Sequence, residues 1–245
     1  MKIAVLTDVH ANWPALEAAL EAIKAEACDL IFHVGDVVAI GPYPAECLER
    51  MLDVTQMEFV MGNHDEWFAN GLPKPQPGWM SDGEVEHQNW THEQIDSALR
   101  VVVGQWPYAI RRTFGQVAVT FAHYGLDPKA KGFAKIVRPA TGNHLATTFA
   151  TERSDLIFYG HDHAVSDLVH DGVRYVNPGS LGCHKKAVAR FVTADFSIPD
   201  ADHPYTLTHH AIPYNDRELF YTFEMRRVPQ RQFLYRIFFG NRFRR

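Results

Sequence analysis

Along the first part of the chain, apolar positions switch between the spacing of a strand and that of a helix. Lys2 to Thr7 reads as a strand, and a loop leads to a helix from about Pro14 to Ala27, where Leu16, Leu20, Ile23 and Ala27 recur at helical spacing behind a first-turn proline. Leu30 to Val34 is a short buried strand, a second helix follows near Pro44 to Leu52, and Met57 to Met61 is a third strand. Glu66 to Gln105 breaks the rhythm: Pro73, Pro75 and Pro77 with Gly71 and Gly78 make a loop, and Val85 to Val103 reads as one helix. From Tyr108 strands take over. Ala109 to Phe114 and Gln116 to His123 meet at Gly115 as a hairpin, and Asp155 to Tyr159, Ala164 to His170 and Val173 to Val176 follow, with Asp171 and Gly172 as a two-residue turn. Ala187 to Phe196 and Thr206 to Ile212 are further strands; Asn215 or Asp216 can then cap a helix to about Arg227, which Val228 and Pro229 separate from a last helix through Phe239.

This alternation predicts an α/β domain. At 245 residues, with 46% apolar and 12% aromatic residues, the chain can bury one large core, so one domain over residues 1–200 is expected, with 66–105 inserted as a partial lid and 201–245 packed on its edge. No apolar run approaches the roughly 20 residues of a bilayer span, and no leader pattern precedes the first strand. Cys28, Cys47 and Cys183 are an odd number at no metal-ligand spacing, which favours a reducing compartment and predicts a cytoplasmic protein. The net charge of -5 argues against nonspecific affinity for nucleic acid or anionic membrane. Two basic stretches stand apart: Lys129, Lys131, Lys135 and Arg138, and the arginine-rich tail from Arg226 to Arg245. Solvated faces account for both, although the first could also line a substrate entrance.

The chemistry lies among the 14 histidines. Five blocks place His, Asp or Asn just after a predicted strand: Asp8 and His10; Gly35 and Asp36; Gly62, Asn63, His64 and Asp65; His123; and Gly160, His161, Asp162 and His163. Singly each is weak. In α/β sheets, however, ligands collect outside the carboxyl ends of strands, so these blocks can converge on one place and hold metal. Imidazole and oxygen donors without thiolate suit manganese, iron, zinc or cobalt better than calcium or magnesium.

The order of the blocks resembles the calcineurin-like metallophosphoesterase family, whose pattern is D-x-H, G-D, G-N-H-D or G-N-H-E, a single H, and G-H-x-H. The resemblance covers Lys2 to about Ala194, and Asn177 to Gly182 looks like the bacterial phosphodiesterase branch. It implies a four-layer αββα sandwich of two mixed sheets and the hydrolysis of a small phosphorylated substrate, a diester in particular, by a metal-bound hydroxide. It further implies that Asp8, His10, Asp36 and His163 hold one divalent ion, that Asp36, Asn63, His123 and His161 hold the other, and that Asp36 bridges. A bridging carboxylate offsets the repulsion of two close cations, and the site left cationic matches an anionic ester.

His64 is not needed as a ligand. In the family the matching residue faces the phosphate, where as imidazolium it can stabilise charge or protonate the leaving oxygen, and Asp65 could fix its tautomer and raise its pKa. Two departures stand out: Gly35 and Asp36 are followed by Val37 to Gly41 rather than by an arginine, which argues against protein phosphatases and dinucleotide polyphosphate hydrolases, and Tyr124 separates His123 from Gly125. Asn12 could touch phosphate or cap the first helix, His184 is a possible substrate contact, and His33, His87 and His92 read as structural. The rivals are a nuclease or nucleotide phosphatase on the same core, which the basic stretch near Lys129 supports, and a non-catalytic scaffold. A retromer subunit shares this fold without key site residues, whereas this chain retains all seven ligands and His64.

Overall fold

The structure, a computed structural model, describes residues 1–127, 132–197 and 204–244. Its first half runs β1 (Lys2–Leu6), α1 (Trp13–Ala25), β2 (Leu30–His33), α2 (Pro44–Leu52), β3 (Met57–Phe59), α3 (Asn63–Asn70), α4 (Asp82–Glu93) and α5 (Leu99–Val103). The second runs β4 (Ala109–Phe114), β5 (Val117–Ala122), β6 (Leu126–Asp127), β7 (Gly132–Phe133), α6 (Gly142–Thr148), β8 (Leu156–Phe158), β9 (Ser166–His170), β10 (Val173–Asn177), β11 (Val188–Asp195), β12 (Thr206–Pro213), α7 (Arg217–Met225) and α8 (Arg231–Phe238).

Strands β12-β11-β1-β2-β3 form one sheet and β4-β5-β8-β10-β9 the other. Each is parallel at its centre and antiparallel toward an edge: β1 runs parallel to β2 but antiparallel to β11, and β8 lies parallel to both β5 and β10 while β9 and β4 run antiparallel to their neighbours. Burial on both faces explains why β1 is apolar without a break. Ile3 and Val5 point to the partner sheet and, with Phe32 and Val192 of their own sheet, share a core with Phe121 and Phe158 of the other, while Ala4 and Leu6 point to the helices. Those helices are α1, α2, α7 and α8. On the outer face of the second sheet, Ile157, Tyr159 and Tyr175 pack under Leu145 and Phe149 of the α6 segment. The result is the four-layer αββα sandwich that the sequence predicts.

Several elements differ from expectation, the antiparallel pair β6 and β7 among them. The block beginning at Asn63 opens helix α3, which the sequence reading left out. The helix expected over Val85 to Val103 is two, because the Asp96 carboxylate accepts the Ala98 N–H at 2.9 Å and so competes with the helical pattern between them. Helix α6 was not foreseen, although Thr141 caps it by accepting the His144 N–H. At the other end, β12 pairs with β11 from Thr206 to Pro213, and Leu219, Phe220, Phe223, Leu234 and Tyr235 enter the main core. Three of the tail arginines are absorbed here: Arg226 pairs with Glu46, Arg231 with Glu224 and Arg242 with Asp216. Among the described residues no helix is long and apolar enough to cross a membrane.

Between the sheets the Phe121 ring stacks on Phe32 at 3.8 Å and lies 5.5 Å from Phe158, all three fully buried. Phe121→Ala should therefore cost about 3 to 5 kcal/mol in chemical denaturation, and a loss below about 1 kcal/mol would contradict this packing.

Candidate metal centre

The loops that leave β1, β2, β3, β5 and β8 are laced together by their backbones. Asp8 N–H donates to Gly35 O at 2.9 Å, His10 N–H to Asp36 O at 3.1 Å, Gly160 N–H to His123 O at 2.9 Å and Ser180 N–H to His163 O at 3.2 Å. Of the thirteen non-glycine residues with positive φ among those described, Asp8, His10, Ala11, Asp36, Ala39, Ile40, His161 and His163 lie in these loops. Left-handed backbone at so many L residues, a branched isoleucine included, persists only where surroundings impose it, and such strain gathers at functional sites.

All seven sequence-predicted ligands come together. On one side His10 Nε2 lies 2.9 Å from His163 Nε2, and Asp8 Oδ1 lies 3.3 Å from His163 Nε2 and 3.6 Å from His10 Nε2. On the other, His123 Nε2 faces Asn63 Oδ1 at 3.2 Å, His161 Nδ1 at 3.2 Å and Asp36 Oδ2 at 3.3 Å. Asp36 Oδ2 also lies 3.8 Å from His10 Nε2, so one carboxylate oxygen faces both halves.

Proton positions show whether this set fits a metal. His10 Nδ1 faces Val38 O at 3.3 Å and His123 Nδ1 faces Val34 O at 2.8 Å, so each ring donates there and turns a bare Nε2 lone pair inward. Asp8 Oδ2 accepts from the Thr7 hydroxyl at 2.7 Å and the His161 N–H at 3.2 Å, while its buried Oδ1 accepts no hydrogen bond. Acceptors thus aim at acceptors, and only a positive charge, a proton or a metal ion, can lie between them. That arrangement fits a cation, and its donors are imidazole, carboxylate and amide oxygen. The Cys183 sulfur also lies within 4.8 Å of the His10 and His163 nitrogens, a neighbour that the sequence did not announce.

The electrostatics agree. Burial opposes ionisation of Asp8, but the imidazoles of His163 and His10 outweigh it and hold the carboxyl well below its ordinary range. Burial likewise opposes a charge on His123, yet Asp36 beside it raises the ring to about 9. The two carboxylates therefore demand positive charge at this point. His161 is pushed down to about 3 by burial and by His123.

Asp65 and His64 behave differently from expectation. They are neighbours on helix α3, so their side chains point apart and cannot pair. The buried Asp65 carboxylate instead accepts the amides of Asp36 at 2.7 Å, Val37 at 2.9 Å, Val38 at 3.4 Å and Gly62 at 3.3 Å. Burial and Asp36 push it up toward about 7, and those amides pull the other way. It is a clamp on the Asp36 loop. A Cβ at Gly62 would strike the Asp36 carboxylate and amide, which is why glycine starts this helix. The partner of His64 is Gln88 on α4, whose Nε2 lies 2.7 Å from His64 Nδ1. The surroundings of the ring lower its pKa to about 3 by burial, against the pull of Asp36, so His64 is a neutral imidazole here and not the imidazolium expected.

Neighbouring His87, assigned a structural role from sequence, is buried and ties two distant segments to the loop after Asp36. Its Nε2 accepts the N–H of Ile40 at 2.8 Å, and its Nδ1 faces Pro229 O at 3.3 Å. Neither His87 nor Gln88 carries a local sequence signal. Asn12 is fully buried: its Oδ1 caps α1 through the Ala15 N–H, and its Nδ2 donates to Gly182 O and to the Tyr214 hydroxyl, so the capping reading holds and no atom is left for phosphate. His184 is engaged by its own loop, with Lys186 N–H at 3.0 Å and the Arg190 guanidinium at 2.9 Å. Tyr124, the residue that interrupts the expected spacing, packs into the outer cluster and leaves the His123 geometry intact. Of the basic stretch, Lys129 and Lys131 lie outside the described residues, Lys135 is exposed, and Arg138 donates to Asp162 O at 2.9 Å beside the ligand block.

The family model of the calcineurin-like phosphoesterase superfamily domain matches residues 1–197. Over 216 residues the chain is 29% identical to an uncharacterized protein of Methanocaldococcus jannaschii, covering 80% of this chain and 84% of that one. In fold it is similar to a hypothetical protein of Pyrococcus horikoshii, with a TM-score of 0.77 at 19% identity over 98% of each chain. It is also similar to a metallophosphoesterase of Sphaerobacter thermophilus, with a TM-score of 0.71 at 23% identity over 96% of this chain and 97% of that one.

If Asp65 acts as the clamp described, Asp65→Asn should weaken metal binding roughly 10- to 100-fold in calorimetric titration, because an amide NH2 would face backbone donors; unchanged affinity in a folded variant would refute it.

Proposed function

The chain belongs to the calcineurin-like phosphoesterase superfamily and is a phosphoric ester hydrolase; on that premise we propose that it cleaves a phosphodiester using two divalent ions bridged by Asp36. The observation that carries this reading is the convergence of bare acceptors: the 2.9 Å approach of His10 Nε2 to His163 Nε2, and the ring of oxygen and nitrogen atoms around His123 Nε2. Asp8, His10, Asp36 and His163 would hold one ion, and Asp36, Asn63, His123 and His161 the other. Manganese, iron, zinc or cobalt suits these donors. When bound, such a pair supplies Lewis acidity to the phosphoryl oxygens and an activated water nucleophile at neutral pH.

The residues of the chain do the rest. Asp36 Oδ1 accepts the His64 backbone N–H at 2.9 Å, so Oδ2 is the oxygen that would be offered to both ions. Asp8 Oδ1 is aimed by the two donors on Oδ2. With Gln88 Nε2 donating to Nδ1, His64 carries its proton on Nε2. That ring stands edge-on to His10 at 5.3 Å, so its N–H can donate to a phosphoryl or leaving oxygen beside the metal ligands. In this role His64 is a neutral donor, and Gln88 is the positioning residue that selects its tautomer.

Purified protein loaded with manganese should hydrolyse bis(4-nitrophenyl) phosphate, and no hydrolysis with any of the four metals would refute the reading. Asp36→Asn should lose metal and activity together, whereas His64→Ala should keep its metal and lose roughly 100- to 10,000-fold in kcat. If the neutral His64 N–H donates its hydrogen bond to the leaving oxygen, its loss should shrink with better leaving groups; an equal loss across leaving groups assigns the bond to a non-leaving phosphoryl oxygen. Gln88→Leu should keep the metal, reproduce part of the His64 defect, and add almost nothing in the double variant with His64→Ala, since the two act as one unit. Additive losses would contradict that coupling.

A further inference from the structure

Aromatic rings continue outward from His64. Trp67, one turn along α3, meets the His64 ring edge-on at 4.8 Å and 75°, and Trp79 stacks on Trp67 at 6.0 Å and 28°. Trp67 is partly buried, whereas Trp79 is 67% exposed. The exposure of so large an apolar ring is not a matter of a loose loop. Its neighbour Met80 is buried, the Met80 N–H donates to Pro77 O at 3.0 Å, and Gln76 Nε2 donates to Met80 O at 2.8 Å, so the turn that presents Trp79 is pinned on both sides. Other aromatic rings at the centre lie against ligands: Phe133 against His123 and His161, Tyr124 against His161, and Phe238 against His163. They dry the metal side. Among the described residues, the tryptophan pair leads from the His64 ring to solvent.

Stacked indoles offer a flat π surface to a flat, uncharged partner. The charged groups that follow on the same segment, Asp82 and Glu84, are acidic, which disfavours a further phosphate there and leaves room for an uncharged ring. The steps of 4.8 Å and 6.0 Å away from His64 are on the scale of a sugar between a phosphate and its base. We propose that Trp67 and Trp79 form a stacking subsite for the nucleobase of the departing alcohol, so that the substrate is a nucleoside-containing phosphodiester. This rests on the phosphodiesterase reading and on His64 lying at the leaving oxygen.

Trp79 is exposed enough for Trp79→Ala to fold normally. In manganese-loaded protein, kcat/KM should fall roughly 5- to 150-fold for a dinucleoside monophosphate and stay unchanged for the glycerol–ethanolamine phosphodiester. In zinc-loaded protein, adenosine 5′-monophosphate should quench tryptophan fluorescence and ribose 5-phosphate should not, and Trp79→Ala should remove that difference. Equal losses on both diesters, or quenching that does not depend on the base or on Trp79, would overturn the subsite. Continued hydrolysis of the alkyl diester with no base preference sinks the subsite alone. Failure to hydrolyse any diester sinks the phosphodiesterase reading instead, and the quenching comparison then decides the subsite by itself.

Discussion

The structure depends on an electrostatic problem at one point: Asp8 and Asp36 are buried beside five side chains that offer lone pairs in the same direction. Burying carboxylates without a counter-charge is costly, and the upward pull of Asp36 and Asp8 on His123 has the same origin. Divalent cations would answer it. The surrounding fold can be understood as a means of holding these acceptors together against their mutual repulsion. The two sheets supply rigid strand ends, the left-handed residues turn side chains inward, and the Asp65 clamp pins the amides of residues 36 to 38.

Support also comes from segments far from the ligand blocks. Helix α4 sends adjacent residues to two tasks, His87 to the strained Ile40 and Gln88 to His64. The chain near Pro229 braces His87 in turn, and Gln230 Nε2 donates to Glu86 on the same helix at 2.9 Å. Phe238 of α8 packs on His163. Residues beyond 197, where the family match ends, thus touch the centre through both a positioning histidine and a ligand. Sequence changes in the tail could therefore be felt at the metal site.

How much of this was legible follows from where each signal resides. The strands could be read because β1, β2 and β8 are buried on both faces and so carry unbroken apolar runs over 3–6, 30–32 and 156–158, and each ligand follows a strand within a few residues. Helix α3 was hidden because its eight residues, Asn63 to Asn70, carry no apolar stripe and no side-chain cap. Asp65 misled for a related reason: adjacency in sequence suggested a pair with His64, and helix geometry turns the two apart. Gln88 was invisible since a glutamine on a polar helix announces nothing until the fold delivers it to His64. Trp79 likewise looks like one more residue of a proline-rich loop, and only its stacking on Trp67 places it beside the centre.

The central claim is that the facing acceptors hold two cations that share Asp36. Anomalous scattering from a crystal of the manganese-loaded protein tests it most directly. Two peaks are predicted, one among Asp8, His10 and His163, the other among Asn63, His123 and His161, with Asp36 reaching both. A single peak, or metal bound away from Asp36, would contradict the account.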